Sequence, residues 1–405
     1  IVKAYDPPYT TSTYVYDHIR DNLASWVEEA ISINALKRAA AEFGAYTDDL
    51  SIPEGKSQKV AVIGGGPAGM MAAYDLRKAG YGVTIFEALS SLGGMMYAGI
   101  PEFRLPKAVL DAEADILNKL GVEIKLNTRI GKDIQLADIR NSYDAVFLAI
   151  GAHKGRKLGV PGDNAEGVID GTEFLFKVNT GEKVDAGNKV VVVGGGNVAI
   201  DCARTCVRLG FKDVSIVYRR SRAEMPAIPM EIHEAEEEGV KLVLLSGPGK
   251  VVTSGSKAAG LECVRMQLGE PDASGRRRPE PVKGSEYVID ADLIIAAVGE
   301  EPELGFLDAA AVSNGRISAD PVTLATPVKG LFAGGDAVTG AATVAPDDEI
   351  ARTAPVIAAI RGKLTTPISI DTRKAAVARA APGSLPRISA PPAANSATAA
   401  RSAQS

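Results

Sequence analysis

Two glycine-rich turns carry the chemistry this sequence can do. The first lies in Val60-Ala61-Val62-Ile63-Gly64-Gly65-Gly66-Pro67-Ala68-Gly69, where Gly64, Gly66 and Gly69 keep the spacing GxGxxG. A short β-branched run, Lys59 to Ile63, precedes it, and a helical pattern from Gly69 to Ala79 follows. The first glycine permits the tight turn, the second lets the backbone approach a diphosphate, and the third lets helix and strand pack closely. With Pro67 and Ala68 in the turn, the diphosphate sits at the helix N-terminus, where free N–H groups and the helix dipole favour negative charge. Glu87 closes the next strand, Val83 to Phe86, where an acid can accept hydrogen bonds from ribose hydroxyls. The competing readings are a glycine turn without ligand and, for Glu87, a solvated acid at a strand end.

The second turn is Val190-Val191-Val192-Val193-Gly194-Gly195-Gly196-Asn197-Val198-Ala199, a GxGxxA pattern between a strand, Lys189 to Val193, and a helix, Val198 to Leu209. Its next strand, Val214 to Tyr218, runs into Arg219 and Arg220 where an NAD site places an acid. Arginines there can pair with a 2′-phosphate, which favours NADP over NAD; the plain alternative is that they stack on adenine or face water. Cys202 and Cys206 lie one turn apart in this helix, and Cys263 lies in a strand. With no histidine near, all three read as small core residues rather than redox or metal groups.

These turns need α/β units to hold them. Gly80 and Gly210 stop the two helices, so each turn belongs to a strand–turn–helix–strand unit. Between the units lie a strand at Ala145 to Ile150 and the turn Gly159-Val160-Pro161-Gly162. Strands with polar hairpins run from Val240 to Asp292, and apolar strands follow at Leu293 to Val298 and Gly330 to Ala333. Residues 1 to 57 read as amphipathic helix, and the Ala-, Pro- and Ser-rich stretch from about Asp371 reads as disordered or as an extended strap. The 405 residues suit two or three domains. A net charge of −5 gives no reason to propose nucleic acid or a membrane surface as a partner, and no apolar run reaches a membrane span. Three cysteines make no disulfide framework, so the reading is cytoplasmic. No signal-peptide pattern opens the chain, and without an initiator Met residues upstream of Ile1 are to be expected.

Four further stretches extend beyond general dinucleotide folds: Gly93-Gly94-Met95-Met96-Tyr97-Ala98-Gly99-Ile100-Pro101-Glu102-Phe103-Arg104-Leu105-Pro106-Lys107; Tyr218-Arg219-Arg220 with Glu224-Met225-Pro226-Ala227; Leu268-Gly269-Glu270-Pro271-Asp272; and Leu331-Phe332-Ala333-Gly334-Gly335-Asp336. On these the chain, from about Ala30 to Lys363, resembles the small subunit of glutamate synthase and its relatives, including flavin subunits of ferredoxin reductases and of 2-oxoacid oxidoreductase complexes. The resemblance implies two Rossmann-like domains. An FAD domain is split (58–165 and 296–370) around an inserted NAD(P) domain (166–295), after a helical N-terminal segment (1–57) and before a tail (371–405). It implies FAD on Gly64, Gly66, Pro67, Ala68, Gly69, Glu87, Gly94, Met95, Arg104, Gly151, Gly335, Asp336, Thr343 and Val344. It implies NAD(P) on Gly194, Gly196, Asn197, Val198, Ala199, Arg219, Arg220 and Gly299. Arg104 either touches FAD or braces its loop.

The chain departs from the glutamate synthase type in one respect. That type holds iron–sulfur clusters on N-terminal cysteines, and residues 1 to 57 contain none. No cluster or metal of its own is expected. Electrons then pass to iron–sulfur centres of a partner subunit in a larger complex, one acting on a 2-oxoacid being an example. After Val344 the run Ala345-Pro346-Asp347-Asp348-Glu349 is more acidic than the usual form. The expected step is hydride transfer between nicotinamide C4 and flavin N5, which needs no acid–base residue, so His18, His153 and His233 are not singled out. With no CxxC, thiol–disulfide reduction is disfavoured. The alternatives are a stand-alone NAD(P)H-dependent reductase of a small substrate or quinone, and a non-catalytic FAD-containing assembly subunit.

Overall fold

Val60, Ala61, Val62 and Ile63 are all buried, an unbroken apolar run rather than an alternating one. That is the mark of a strand covered on both faces in a parallel sheet. The structure, a computed structural model, describes residues 50–340 except 53–54, 185–186 and 273–274. The readings of a helical N-terminal segment, of Thr343, Val344 and the acidic run after them, and of the tail lie outside the described residues.

In chain order the first unit comprises β1 (Lys59–Ile63), α1 (Pro67–Lys78), β2 (Gly82–Phe86), α2 (Met95–Ala98), α3 (Lys107–Lys119), β3 (Glu123–Lys125), α4 (Leu136–Ser142) and β4 (Ala145–Leu148). A short strand β5 (Lys154–Gly155) leads into the second unit. That unit holds β6 (Val168–Asp170), α5 (Gly171–Asn179), β7 (Lys189–Val193), α6 (Asn197–Arg208), β8 (Asp213–Tyr218), α7 (Pro229–Glu237) and β9 (Lys241–Leu244). Next come the antiparallel strands β10 (Ser246–Ser254), β11 (Lys257–Pro271), β12 (Arg277–Pro281) and β13 (Tyr287–Asp290), then β14 (Leu293–Ala296). The chain returns through β15 (Glu300–Glu301), β16 (Val312–Ser313), β17 (Arg316–Ile317), β18 (Leu331–Ala333) and α8 (Asp336–Thr339).

The first sheet has the order β18-β4-β1-β2-β3 and the second β6-β14-β7-β8-β9, both with parallel neighbours throughout. The first sheet thus draws strands from both sides of the segment that builds the second. The two crossings pair with each other as a short antiparallel ribbon, Glu300 opposite Gly155 and Glu301 opposite Lys154. This is the α/β architecture with two Rossmann-like halves expected from the sequence.

The helix limits follow from local chemistry. Pro67 opens α1, where its missing N–H and fixed φ do no harm, and Gly80 at φ +91° ends it. Gly210 at φ +93° plays the same part after α6. Val190, Val192, Ile200, Ala203 and Ile216 form the core under α6, and Val62, Ala73, Ile85 and Leu117 the core under α1.

Candidate functional site

The first glycine turn is held by contacts only glycine allows. Gly64 lies at φ +103°, and a side chain there would press on the Ala149 carbonyl. A Cβ on Gly69 would run into the Gly64 carbonyl oxygen, so helix and strand could not close. Gly66, by contrast, has extended backbone, and its Cβ would meet only the Cα of Gly94, at 3.7 Å. Neither a side-chain cap nor an acid occupies the first turn of α1. Its N–H groups therefore face an open cradle, which fits a diphosphate.

Other residues singled out from the sequence converge on this cradle. A Cβ on Gly94, at φ +53°, would fall 2.7 Å from the Cα of Gly66, and the Gly93 N–H donates to the Gly65 carbonyl at 2.8 Å. Met95 opens α2 directly behind. Gly335, at φ +74°, leaves 2.9 Å between its would-be Cβ and the Cβ of Ala68, which brings Asp336 alongside. Gly151, at φ +65°, follows β4 and lies against the His153 ring. Burial holds His153 below its usual pKa range, with the charge of Glu87 opposing. Glu87 is buried. Its Oε2 accepts the Gly65 N–H at 2.5 Å and its Oε1 the Leu89 N–H at 2.7 Å. The acid thus braces the turn, and each oxygen keeps a lone pair for a ribose hydroxyl.

The second turn repeats the geometry with different strand-end chemistry. A Cβ on Gly194 would strike the Ala297 carbonyl, and one on Gly195 would come 2.5 Å from the Tyr218 ring. Asn197 Oδ1 accepts the Ile228 N–H at 3.1 Å, tying the start of α6 to the loop before α7. Ala199 is buried and Val198 partly so. Gly299, at φ +114°, accepts the Arg156 N–H. The two arginines part company. Arg219 is exposed, with no hydrogen-bond or ion-pair partner among the described residues. Arg220 is buried. Its Nη2 pairs with Asp272 at 2.6 Å and its Nε donates to the Arg277 carbonyl at 2.7 Å. Its guanidinium is committed to the β11–β12 hairpin, so of the two only Arg219 keeps its charge for a nucleotide phosphate.

Arg104 is not gathered into the first cradle. Its Nη1 binds both oxygens of Asp201, at 2.7 and 2.6 Å, and its Nη2 binds Glu231 at 2.5 Å. Of the two roles open in the sequence, the structure gives it the brace. Cys202, Cys206 and Cys263 are buried and unpaired; burial pushes the Cys263 thiol up to about 12 and raises the other two further. Among the described residues no cluster of three or more His, Cys, Asp or Glu could hold a metal.

A cleft of about 1220 Å³ runs from the second glycine turn, where Gly194 to Val198 and Arg219 line it, to α8, where Asp336, Val338 and Gly340 line it. Its charged wall includes Arg156, Glu300 and Arg316, which the sequence reading did not single out. Burial raises the Glu300 carboxyl, and the charge of Asp336 adds to the effect. Arg316 donates from Nη1 to the Thr339 carbonyl at 2.9 Å. These residues sit on the crossings and on the β16–β17 hairpin, outside any glycine motif, so only the fold reveals them.

The family model described as pyridine nucleotide-disulphide oxidoreductase matches residues 58–358. The chain belongs to this family. A second model, described as pterin binding enzyme, matches residues 333–385, nearly all of them outside the described residues. The chain is 48% identical over 312 residues to the NADP(+)-dependent formate dehydrogenase subunit beta of Moorella thermoacetica, covering 76% of this chain and 44% of that one. It is 39% identical over 335 residues to the glutamate synthase [NADPH] small chain of Escherichia coli K12, covering 77% and 71%. The chain spans about half the length of the curated relatives it matches first. A solved structure of Mycobacterium tuberculosis FprA in complex with NADPH superposes with a TM-score of 0.64 at 19% identity, covering 76% of this chain and 84% of that one, and shows the shared fold. The resemblance to glutamate synthase small subunits and the α/β dinucleotide fold are thus both borne out. Among the described residues of this oxidoreductase, no helix is long and apolar enough to cross a membrane.

Proposed function

We propose that this chain is an FAD-dependent NADPH oxidoreductase subunit of the cytoplasm that passes electrons between the nicotinamide and iron–sulfur centres of a partner subunit. The observation that carries the reading is the cleft running from the second glycine turn to Asp336 beside the first. Bound FAD would supply hydride exchange with the nicotinamide and one-electron exchange with a partner. The protein's part is binding and orientation. The α1 N-terminus and Gly66 receive one diphosphate, with Glu87 on the adjoining ribose. The α6 N-terminus and Gly196 receive the other, with Arg219 on the 2′-phosphate. The half-buried carboxyl of Glu300, raised by desolvation, lies on the wall of the cleft between its two ends. The named relatives, a formate dehydrogenase beta subunit and a glutamate synthase small chain, both carry NADP(H) in their names, which supports the choice of nucleotide.

Anaerobic titration tests this. NADPH should bleach the flavin absorbance of the purified protein with NADH markedly weaker, and native purification should bring an iron–sulfur subunit with it. A flavin that NADPH leaves oxidised would reduce the chain to an assembly role. Steady turnover of a small substrate or quinone without any partner would make it a stand-alone reductase.

A further inference from the structure

Two crossings of the chain join the halves, and among the described residues they pair through the two-residue ribbon of β5 and β15, extended by the Arg156 N–H to the Gly299 carbonyl and by ion pairs of Lys154 and Arg156 with Glu301. Such a ribbon is a hinge. A cleft shared by two halves on a hinge keeps its shape only if a second fastening holds them, and the loop Gly99–Lys107 supplies one. The loop follows α2, the short helix that Gly94, abutting Gly66, opens. It is internally stiff: the Lys107 ammonium donates to the Ile100 carbonyl at 2.7 Å, and the Glu102 carboxylate accepts the Lys107 backbone N–H at 3.1 Å. From it and from the last residue of α2, four groups reach the second half. The Ala98 and Ile100 carbonyls accept from Asn179 Nδ2, at the end of α5, at 2.8 and 3.2 Å. The Phe103 ring lies under the Arg208 guanidinium at 3.8 Å and near that of Arg204 at 5.2 Å, both on α6. Arg104 enters between Asp201 on α6 and Glu231 on α7.

The charge arrangement makes Arg104 central. Asp201 and Glu231 are buried and repel one another. The second oxygen of Glu231 has no hydrogen-bond partner among the described residues. The guanidinium between them, forked toward both, is what lets two carboxylates share that site. Asp201 lies four residues into α6 from Asn197, one helical turn or about 6 Å from the end that faces the second nucleotide. A short, stiff path therefore runs from the first cradle, through Gly94, α2 and the loop, to the N-terminal turn of α6.

We propose that Phe103 and Arg104 form a latch that fixes the orientation of the nucleotide-binding half against the flavin-binding half, making Arg104 a positioning residue for hydride transfer although it touches neither cofactor. The claim about hydride transfer rests on the function proposed above; the claim about orientation stands on the contacts alone.

The test uses the full flavin-loaded chain with spin labels at Lys132→Cys and Lys212→Cys, exposed positions on the two halves. The three native cysteines are buried and do not compete for label. Double electron–electron resonance should give one narrow distance distribution in the parent. In R104A, and separately in F103A, it should broaden or shift. F103A leaves the buried charges intact and serves if R104A fails to fold. Stopped-flow reduction by NADPH should slow at least tenfold in both variants, while flavin content and the NADPH dissociation constant change less than threefold. R104K should restore part of the rate. Distributions in both variants that superimpose on the parent would overturn the latch. Broadened distributions with parental reduction rates would overturn the positioning role. Broadened distributions in a protein whose parent NADPH cannot reduce would uphold the latch and count against the proposed function instead.

Discussion

Arg219 and Arg220 are adjacent in sequence and opposite in circumstance, so substituting each with alanine gives a paired prediction. Arg219 is exposed at the cleft and unpaired among the described residues. A charge-assisted contact to a 2′-phosphate is worth about 1.5–3 kcal/mol, so its loss corresponds to roughly a 10- to 100-fold rise in KM for NADPH. NADH has no such phosphate, and its KM should change little. Arg220 is buried against Asp272, with side-chain exposures of 6% and 25%. Removing it breaks the ion pair with Asp272 and frees the Arg277 carbonyl, a loss of about 1.5–3 kcal/mol for charge-assisted hydrogen bonds. R220A should therefore lower the melting temperature by several degrees and weaken NADPH and NADH alike. The assay is initial-rate flavin reduction against both nucleotides, with thermal melts of each variant. Equal effects of R219A on the two nucleotides would refute the phosphate assignment. A stable R220A that lost only NADPH would show that the hairpin pair is not what holds this residue.

Three shorter expectations follow from the same geometry. Gly66→Ala has room in the protein but intrudes on the diphosphate cradle, so the apoprotein should melt near the parent temperature while flavin content falls severely. Gly69→Ala, which meets the Gly64 carbonyl, should destabilise the apoprotein itself. Asp201 has its carboxyl raised from 3.8 to about 6, chiefly by burial, with Arg104 opposing. A folded-state value above the unfolded one gives stability that is full below about 3.8 and lost as pH rises through about 6, on the order of 3 kcal/mol for this group. Asp201→Asn should flatten that part of the stability–pH curve, which urea melts at pH 4.5 and 7 would register. The three cysteines, buried with raised thiol pKa values, should resist alkylation in the native protein at pH 8 and react only on unfolding.

Much of this was legible in the sequence because it is written in local pattern. The spacing of Gly64, Gly66 and Gly69 and of Gly194 and Gly196, the apolar runs before them and the glycine stops after the helices are short-range signals. The structure places those strands and helices within a residue or two of where the pattern does. What was not legible is long-range. Arg104 could be read either as a flavin contact or as a brace, because nothing in its own segment reveals Asp201 and Glu231, 97 and 127 residues later. Arg220 looked as available as Arg219 until the hairpin carrying Asp272 folded back on it. Glu300 and Arg316 are ordinary charged residues in sequence and become cleft walls only because the chain crosses between halves beside them. Helix α3 went unread, since its apolar positions Leu110 and Leu117 are sparse among charges and it lies on the surface of the first sheet.

The two turns also show how one fold sorts two nucleotides. At the end of β2 the chain places an acid that turns inward, and Glu87 is spent partly on the Gly65 N–H, within the turn it serves. At the end of β8 the same space under Gly195 is filled by the Tyr218 ring. Because Tyr218 satisfies the packing without a carboxylate, the next residue can present a cation outward at no cost to the turn. Its hydroxyl donates to the Glu224 carbonyl at 2.7 Å, and Glu224 in turn caps Ser221 through its backbone N–H and its hydroxyl. The segment after Arg219 is thereby held as one rigid corner, and the exposed guanidinium rides on it. The proposed fit to a phosphorylated ribose at the second site thus starts from packing, an aromatic ring in the place of an acid, before it involves the arginine that would meet the phosphate.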